Sequence, residues 1–498
     1  MTGSDSPTPL RLRALRLVAL LLLSTGAAVA AGAVDSLVQR VIEQIEAGQF
    51  AVAGRDITDV LARDGIDEAT RRELLFQRER MRRIRMDFAL DAEAVKARLR
   101  HEIPDLHDAE FADWERRGLI EYRVIDGEVR YFNRAPSNLF RLSAEARARR
   151  ADPKPFRDGP MEAPNAHHRA IVAAAREQGR SSVLPRRVRV TQSLTVKADA
   201  VPDGETIRAW IPYPRAIAGQ QEDIRFVRSE PRTHRIASES AMQRTVHLER
   251  AARKGRPTRF SITYEVTLFG RHVAIDPARA DGAPPPAELV EFIAERPPHI
   301  VFDANMRLFS RQIVGNETDP LRIARKLYVA VDRIPWAGAR EYSTIPNIAA
   351  HALHAGHADC GQQTLLLMTL LRMNGIPARW QSGMVFSDGD YWNLHDWGQV
   401  WIAPWGWLPM DVTTGHMDDP DPSVAGFYLG GLDAYRIAFN DDFGRDFEPP
   451  KRHFRSDTVD SQRGEAEWDG GNLYYDQWDY DFEWTILPPA KGRQAKTR

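Results

Sequence analysis

The sequence predicts an α+β chain of several domains: a mainly helical N-terminal region, an antiparallel β-sandwich, and a core that runs from helices into strands. Three observations carry that expectation. Near the start, Leu37, Val38, Val41, Ile42 and Ile45 fall at helical spacing. From Arg186 to Ile275 the period drops to two, with Gly, Pro and Asp at the breaks, as the short strands of a sandwich read. From Thr364 to Met373 a helical run rich in Leu and Met precedes two extended segments, Trp392 to Ala403 and Trp407 to Thr413. At 498 residues the chain has ample length for more than one domain and a sizeable core.

Residues 1–30 read as an export signal. Arg11, Arg13 and Arg16 precede the apolar run Leu17 to Leu23, and Ala28-Val29-Ala30 is a small-x-small cleavage site. The alternative is an uncleaved anchor, because no charge lies between Leu17 and Val34. That stretch is at the short edge of the roughly 17–25 residues that span a bilayer. Cleavage after Ala30 is the expectation. It places the mature protein in the periplasm or outside the cell, with membrane contact only if the segment stays uncleaved.

Residues 35–150 follow as the helical region, with Asp35 as N-cap. The arginines between Arg71 and Arg85 are interrupted by Glu73 and Glu79 and backed by Leu74, Leu75, Met81, Ile84 and Phe88. They read as the solvated side of an amphipathic helix and not as a nucleic-acid surface, in keeping with a net charge of −1. A hairpin, Leu119–Ile125 and Glu128–Asn133, turns on Asp126-Gly127. Residues 151–184 read as a linker, opening with four prolines between Ala151 and Pro164. The sandwich occupies 185–280, and Asp281 to Pro286 marks the next boundary. The core runs over 287–440, with helices expected around Leu289–Glu295 and Pro320–Ile334. Residues 441–498 form an acidic, aromatic extension, in which alternation within Leu473–Ile486 suggests a strand docking on a sheet.

The chemistry concentrates between His351 and Gly415. Cys360, the only cysteine, stands just before the Thr364–Met373 helix, so it cannot form an internal disulfide. A buried apolar thiol is the bland reading. The position argues for a nucleophile: a free thiol ionises near pH 8.5, roughly, and a helix N-terminus favours the thiolate. His395 lies 35 residues on, and Asp411 a further 16, the latter a separation that suits neighbouring antiparallel strands turned at Ala403-Pro404-Trp405-Gly406. An imidazole takes the thiol proton, and a carboxylate fixes the imidazole's tautomer. Asp396, next to the histidine, is expected on the opposite strand face, which leaves Asp411 as the orienting carboxylate. Trp397 and Trp401 share the His395 parity, as cleft lining or as core. A rival reading takes His351, His354, His357 and Cys360 as zinc ligands, but Ala355-Gly356 breaks the helix that would align them. No cofactor is assigned; Asp418-Asp419-Pro420-Asp421 is the one stretch that could offer oxygens to calcium, and it reads better as a solvated turn.

Four segments together resemble the transglutaminase-like superfamily, whose papain-like core carries Cys, His and Asp in that order: Asp359-Cys360-Gly361, Leu371 to Arg379, His395-Asp396-Trp397-Gly398-Gln399-Val400-Trp401, and Gly406 to Asp411. The resemblance covers Leu321 to Gly415. It implies a transglutaminase core with Cys360, His395 and Asp411 as catalytic residues, preceded by a β-sandwich that walls the cleft. It puts Trp336 and Gly361 at the cleft or oxyanion site, Trp336 serving equally well as a cover for the core. The backbone N–H of Cys360 is the donor that the helix entry itself supplies. Asp396 and Ala358 stand where the family commonly has Ala and Gly. The expected function is an exported cysteine acyl-transfer enzyme acting on a protein or peptide, or on cell-envelope material, with water or an amine as acceptor. The alternative is a non-catalytic scaffold that binds protein or cell-wall material.

Overall fold

The computed structural model describes residues 36–152, 159–280 and 282–488. The stretch 1–30, read from the sequence as an export signal, therefore lies outside the described residues. The described residues divide into two compact units, one made of 36–101 with 106–135 and the other of 102–105 with the described residues from 136 to 488.

In the first unit, a helix over 36–46 is followed by Phe50–Leu61 and Glu68–Asp87. Asp67 starts the long helix by accepting the Thr70 N–H at 2.9 Å. Its arginines are not all solvated: Arg80 and Arg83 are buried, and Glu79 pairs with both Arg82 and Arg83. Acidic partners thus use up part of the positive charge, so the run is a packing face as well as a surface. The hairpin forms from Tyr122–Ile125 and Glu128–Tyr131, with Asp126 and Gly127 both at positive φ (49° and 88°), as a two-residue turn requires.

In the second unit, two antiparallel sheets make the sandwich. One contains Ser182–Val196, Thr258–His272 and Gln221–Glu230; the other contains Thr206–Pro212, Thr245–Ala251 and His234–Ile236. Val188, Val190, Phe260 and Ile262 from the first pack with Ile207, Ile211, Val246 and Leu248 from the second in one apolar cluster. The C-terminal extension completes both sheets: Glu465–Trp468 pairs with Thr206–Pro212, and Trp478–Ile486 pairs with Ser182–Val196. Residues expected as an appendage are structural strands of the sandwich. The linker also holds structure, since Asn165 caps a helix, Ala166–Gln178, against the sandwich.

The core sheet has the order Gly406–Met410, Trp392–Ile402, Ala378–Phe386, Arg436–Asn440. Helices Pro320–Asp332, Ile348–Ala355 and Cys360–Met373 pack with it around Leu327, Val331, Leu366, Trp380 and Val400. The Cys360–Met373 helix is buried from Gly361 to Arg372, which explains its near-continuous apolar sequence. It ends at Asn374, with Gly375 at φ 72°. The expected Leu289–Glu295 helix is a short 3-10 turn, Ala287–Phe292.

Candidate active site

Cys360 is the first residue of its helix. Asp359 caps it, accepting the Gln362 N–H at 3.1 Å while Gln362 Oε1 accepts the Asp359 N–H at 3.1 Å. This reciprocal pair fixes the entry of the chain and therefore the direction of the thiol. The segment before it is held by Ala358 N–H to Pro335 O (3.0 Å) and Ala337 N–H to Ala358 O (3.2 Å). Trp336 is thereby tied beside the approach to Cys360, half-buried, with the Arg141 guanidinium 4.3 Å from its ring. Gly361 is a matter of space: a Cβ there would come within 2.1 Å of Tyr342 Oη and 2.6 Å of Asp396 Oδ2.

His395 lies on Trp392–Ile402, opposite Gly383 on one neighbouring strand. On the other side, Gly398 pairs with Met410, so the returning strand delivers Asp411 alongside the histidine. His395 Nε2 meets Asp411 Oδ2 at 2.8 Å. That leaves Nδ1 as the ring nitrogen free to serve a thiol. Behind the ring, buried Trp397 stacks at 6.1 Å and 22°, its Nε1–H donating to Gln381 Oε1 at 2.8 Å. Trp397 therefore supports the imidazole from within the core.

Asp411 is fully buried and heavily solvated by protein donors: Arg436 Nη1 at 2.9 Å, the Thr413 N–H at 3.2 Å and Thr414 Oγ1 at 3.1 Å. Burial alone would push its pKa up, but His395 and Arg436 outweigh that and hold it well below the usual carboxylate range. Arg436 in turn grips Asp433, with Nε at 2.9 Å and Nη2 at 2.5 Å, and Asp433 is held at about 2 for the same reason. A permanently charged Asp411 is suited to fix the histidine tautomer.

The surroundings of the thiol differ from the expectation. Among the described residues, its hydrogen bond runs from Sγ to Asp396 Oδ2 at 3.3 Å and not to the imidazole. Asp396 does point away from the His395 face, but that direction leads to the helix entry. Tyr342 Oη sits 3.2 Å from the same Oδ2 and 2.8 Å from Asp359 Oδ1. From the C-terminal segment, Gln462 Nε2 donates to Asp396 Oδ1 at 2.6 Å and to His395 O at 2.7 Å. Burial raises the Cys360 pKa, and Asp396 and Asp359 raise it further, while the Asp396 backbone N–H works the other way. The helix N-terminus does not by itself give a resting thiolate here, because burial of the sulfur outweighs it.

His351 Nδ1 lies 3.2 Å from Arg340, His354 Nδ1 takes the Ala350 carbonyl at 2.6 Å, and among the described residues no three candidate ligands converge. In the calcium stretch, Asp419 pairs with Arg169 and Asp421 caps a helical turn at Ser423. Among the described residues, no helix is long and apolar enough to cross a membrane.

A cysteine at a helix entry and a His–Asp pair on adjoining antiparallel strands, all in one α+β core, define a papain-like arrangement. Residues 307–412 match the family described as the transglutaminase-like superfamily. No curated protein matches the sequence. Among solved structures, a putative cysteine protease from Cytophaga hutchinsonii is similar at 13% identity and a TM-score of 0.40, covering 62% of this chain and 93% of that one. The periplasmic domain of TgpA from Pseudomonas aeruginosa is similar at 16% identity and a TM-score of 0.25, over 50% of this chain and 92% of that one. These two likenesses are distant.

Proposed function

We propose that the protein is an exported cysteine acyl-transfer enzyme acting on a protein or peptide. The observation that carries this reading is the His395–Asp411 pair, 2.8 Å apart, with its carboxylate buried and braced by Arg436, in the same core as the helix-entry cysteine. In the reaction, the Cys360 thiol passes its proton to His395 Nδ1. The thiolate attacks a glutaminyl or peptide carbonyl carbon, and the developing oxyanion is met by the first-turn N–H groups at Cys360 and Gly361, which lie ahead of the helix's internal bonding. His395 returns the proton to the leaving nitrogen, so that ammonia or an amine departs and a thioester remains. Water, or a primary amine, deprotonated by His395, then attacks the thioester and restores the thiol. Asp411 keeps Nε2–H oriented throughout. The signal-like segment at 1–30 is the reason for placing this chemistry in the periplasm or outside the cell.

The test is a panel of glutaminyl and other peptides, with and without added primary amine, followed by release of ammonia, amine or peptide fragments. Turnover in the natural protein, lost in both Cys360→Ala and His395→Ala, is the expected result. Turnover that survives either substitution refutes the assignment. The resting contact of the thiol with Asp396 favours a second reading, a scaffold whose cysteine is inert. On that reading, alkylation of Cys360 would be slow near pH 7 and indifferent to His395.

A further inference from the structure

Asp396 sits where carboxyl protons must be shared. Its Oδ1 accepts from Gln462, which leaves Oδ2 facing Cys360 Sγ at 3.3 Å and Tyr342 Oη at 3.2 Å. Tyr342 has one hydroxyl proton, and its shorter bond goes to Asp359 at 2.8 Å. Its second short contact is satisfied if Asp396 Oδ2 carries a proton and donates to Oη. On the far side, Asp460 is buried as well, with its Oδ2 lacking a hydrogen-bond partner among the described residues, and its charge opposes ionisation of Asp396, since two neighbouring buried carboxyl groups do not readily ionise together. The groups facing Asp396 are thus Cys360 and Asp359 at the helix entry, Tyr342 on the preceding turn, and Asp460 from the C-terminal segment. Asp457, Arg455 and Arg463 stand behind Asp460. The nearest charges are acidic, and burial is the largest effect, so the Asp396 carboxyl is pushed well above its usual range.

We propose that Asp396 works as a neutral carboxylic acid that donates an Oδ2–H hydrogen bond to the Cys360 sulfur once the thiol proton has moved to His395. The inference rests on the acyl-transfer reading above. The proton count is unchanged: one proton leaves sulfur for Nδ1, and the Asp396 proton turns from Oη toward Sγ without leaving oxygen. When the Asp396–Asp460 pair loses its proton, a carboxylate faces the sulfur and opposes the thiolate. Activation of the nucleophile therefore fails on the alkaline side, and the C-terminal segment, through Gln462 and Asp460, sets where.

The experiment is the rate of Cys360 alkylation by iodoacetamide across pH 5–10 on the full chain, read by mass on the peptide that carries this single cysteine, with Cys360→Ala as the blank. The natural protein is expected to show a rate that falls on the alkaline side before free-thiol ionisation takes over. Asp396→Asn is a permanently neutral donor, its orientation fixed by Gln462; it should abolish that fall and exceed the natural protein about tenfold for each pH unit beyond the break. Asp460→Asn removes the charge that opposes Asp396 ionisation, so the fall should move to lower pH. An Asp396→Asn variant that retains the fall, or is slower at every pH, overturns the inference, as does a fall unmoved in Asp460→Asn. His395→Ala separates the two claims: if it slows alkylation near pH 7 while Asp396→Asn changes nothing, only the role of Asp396 is lost. If His395→Ala has no effect, the acyl-transfer reading itself fails.

Discussion

Replacing Arg436 with Met should destabilise the second unit by about 3–5 kcal/mol at pH 7, the usual cost of removing one partner from a buried ion pair. The guanidinium is 3% exposed as a residue and lies between two carboxylates, Asp411 at 0% and Asp433 at 1%. Met keeps much of the volume beside Trp397 and Tyr428, whose rings lie 5.1 and 5.2 Å from the guanidinium carbon, so the loss reports charge more than packing. Asp433 would retain Tyr428 Oη and the Tyr435 N–H, each at 2.9 Å, which places the cost within the range and not above it. The deficit should also depend on pH. Asp433 is depressed from its ordinary 3.8 to about 2, so its share of stability is complete above about pH 4 and is lost as pH falls toward 2. Those two values correspond to about 2–3 kcal/mol. Urea unfolding of natural and variant protein at pH 7 and pH 3 measures both effects. A loss under about 1 kcal/mol at pH 7, or a deficit that does not narrow in acid, would refute the reasoning.

Three further expectations follow from the geometry. Asp411→Asn keeps the shape of the site but no longer fixes the His395 tautomer, and turnover should drop by about 10³–10⁴; a loss below tenfold in a kcat measurement would contradict that role. Gly361→Ala places a methyl group against Tyr342 and Asp396, so about 1–3 kcal/mol of stability should go, along with thiol reactivity. An unchanged melting temperature would show that the contact is soft. Gln462→Leu removes the donor to His395 O and Asp396 Oδ1, and its alkylation rate should change even though the residue lies far from Cys360 in sequence; identical rates would show the segment to be a bystander.

The core was readable because its signals are local. The Asp359-Cys360-Gly361 cap, the Asn374-Gly375 stop and the turn between His395 and Asp411 each declare themselves within a few residues. Parity reasoning correctly separated Asp396 from His395 but misjudged what lies on its side, since alternation gives a face and not the neighbour packed on it. The carboxyl behind Asp396 escaped for a related reason. Asp460 looks like a solvated loop residue in sequence, and only the return of the chain past the sheet buries it. The same return hid the strands Glu465–Trp468 and Trp478–Ile486, whose partners lie more than 200 residues earlier and leave no local trace. The Ala166–Gln178 helix had a local cue, Asn165, that the prolines before it obscured.

The most direct measurement is the rate of Cys360 alkylation at pH 7 in the natural protein and in His395→Ala. Passage of the thiol proton to the imidazole predicts a rate at least tenfold higher with the histidine present. Equal rates would mean that sulfur and imidazole do not communicate, and the account of the site would be wrong.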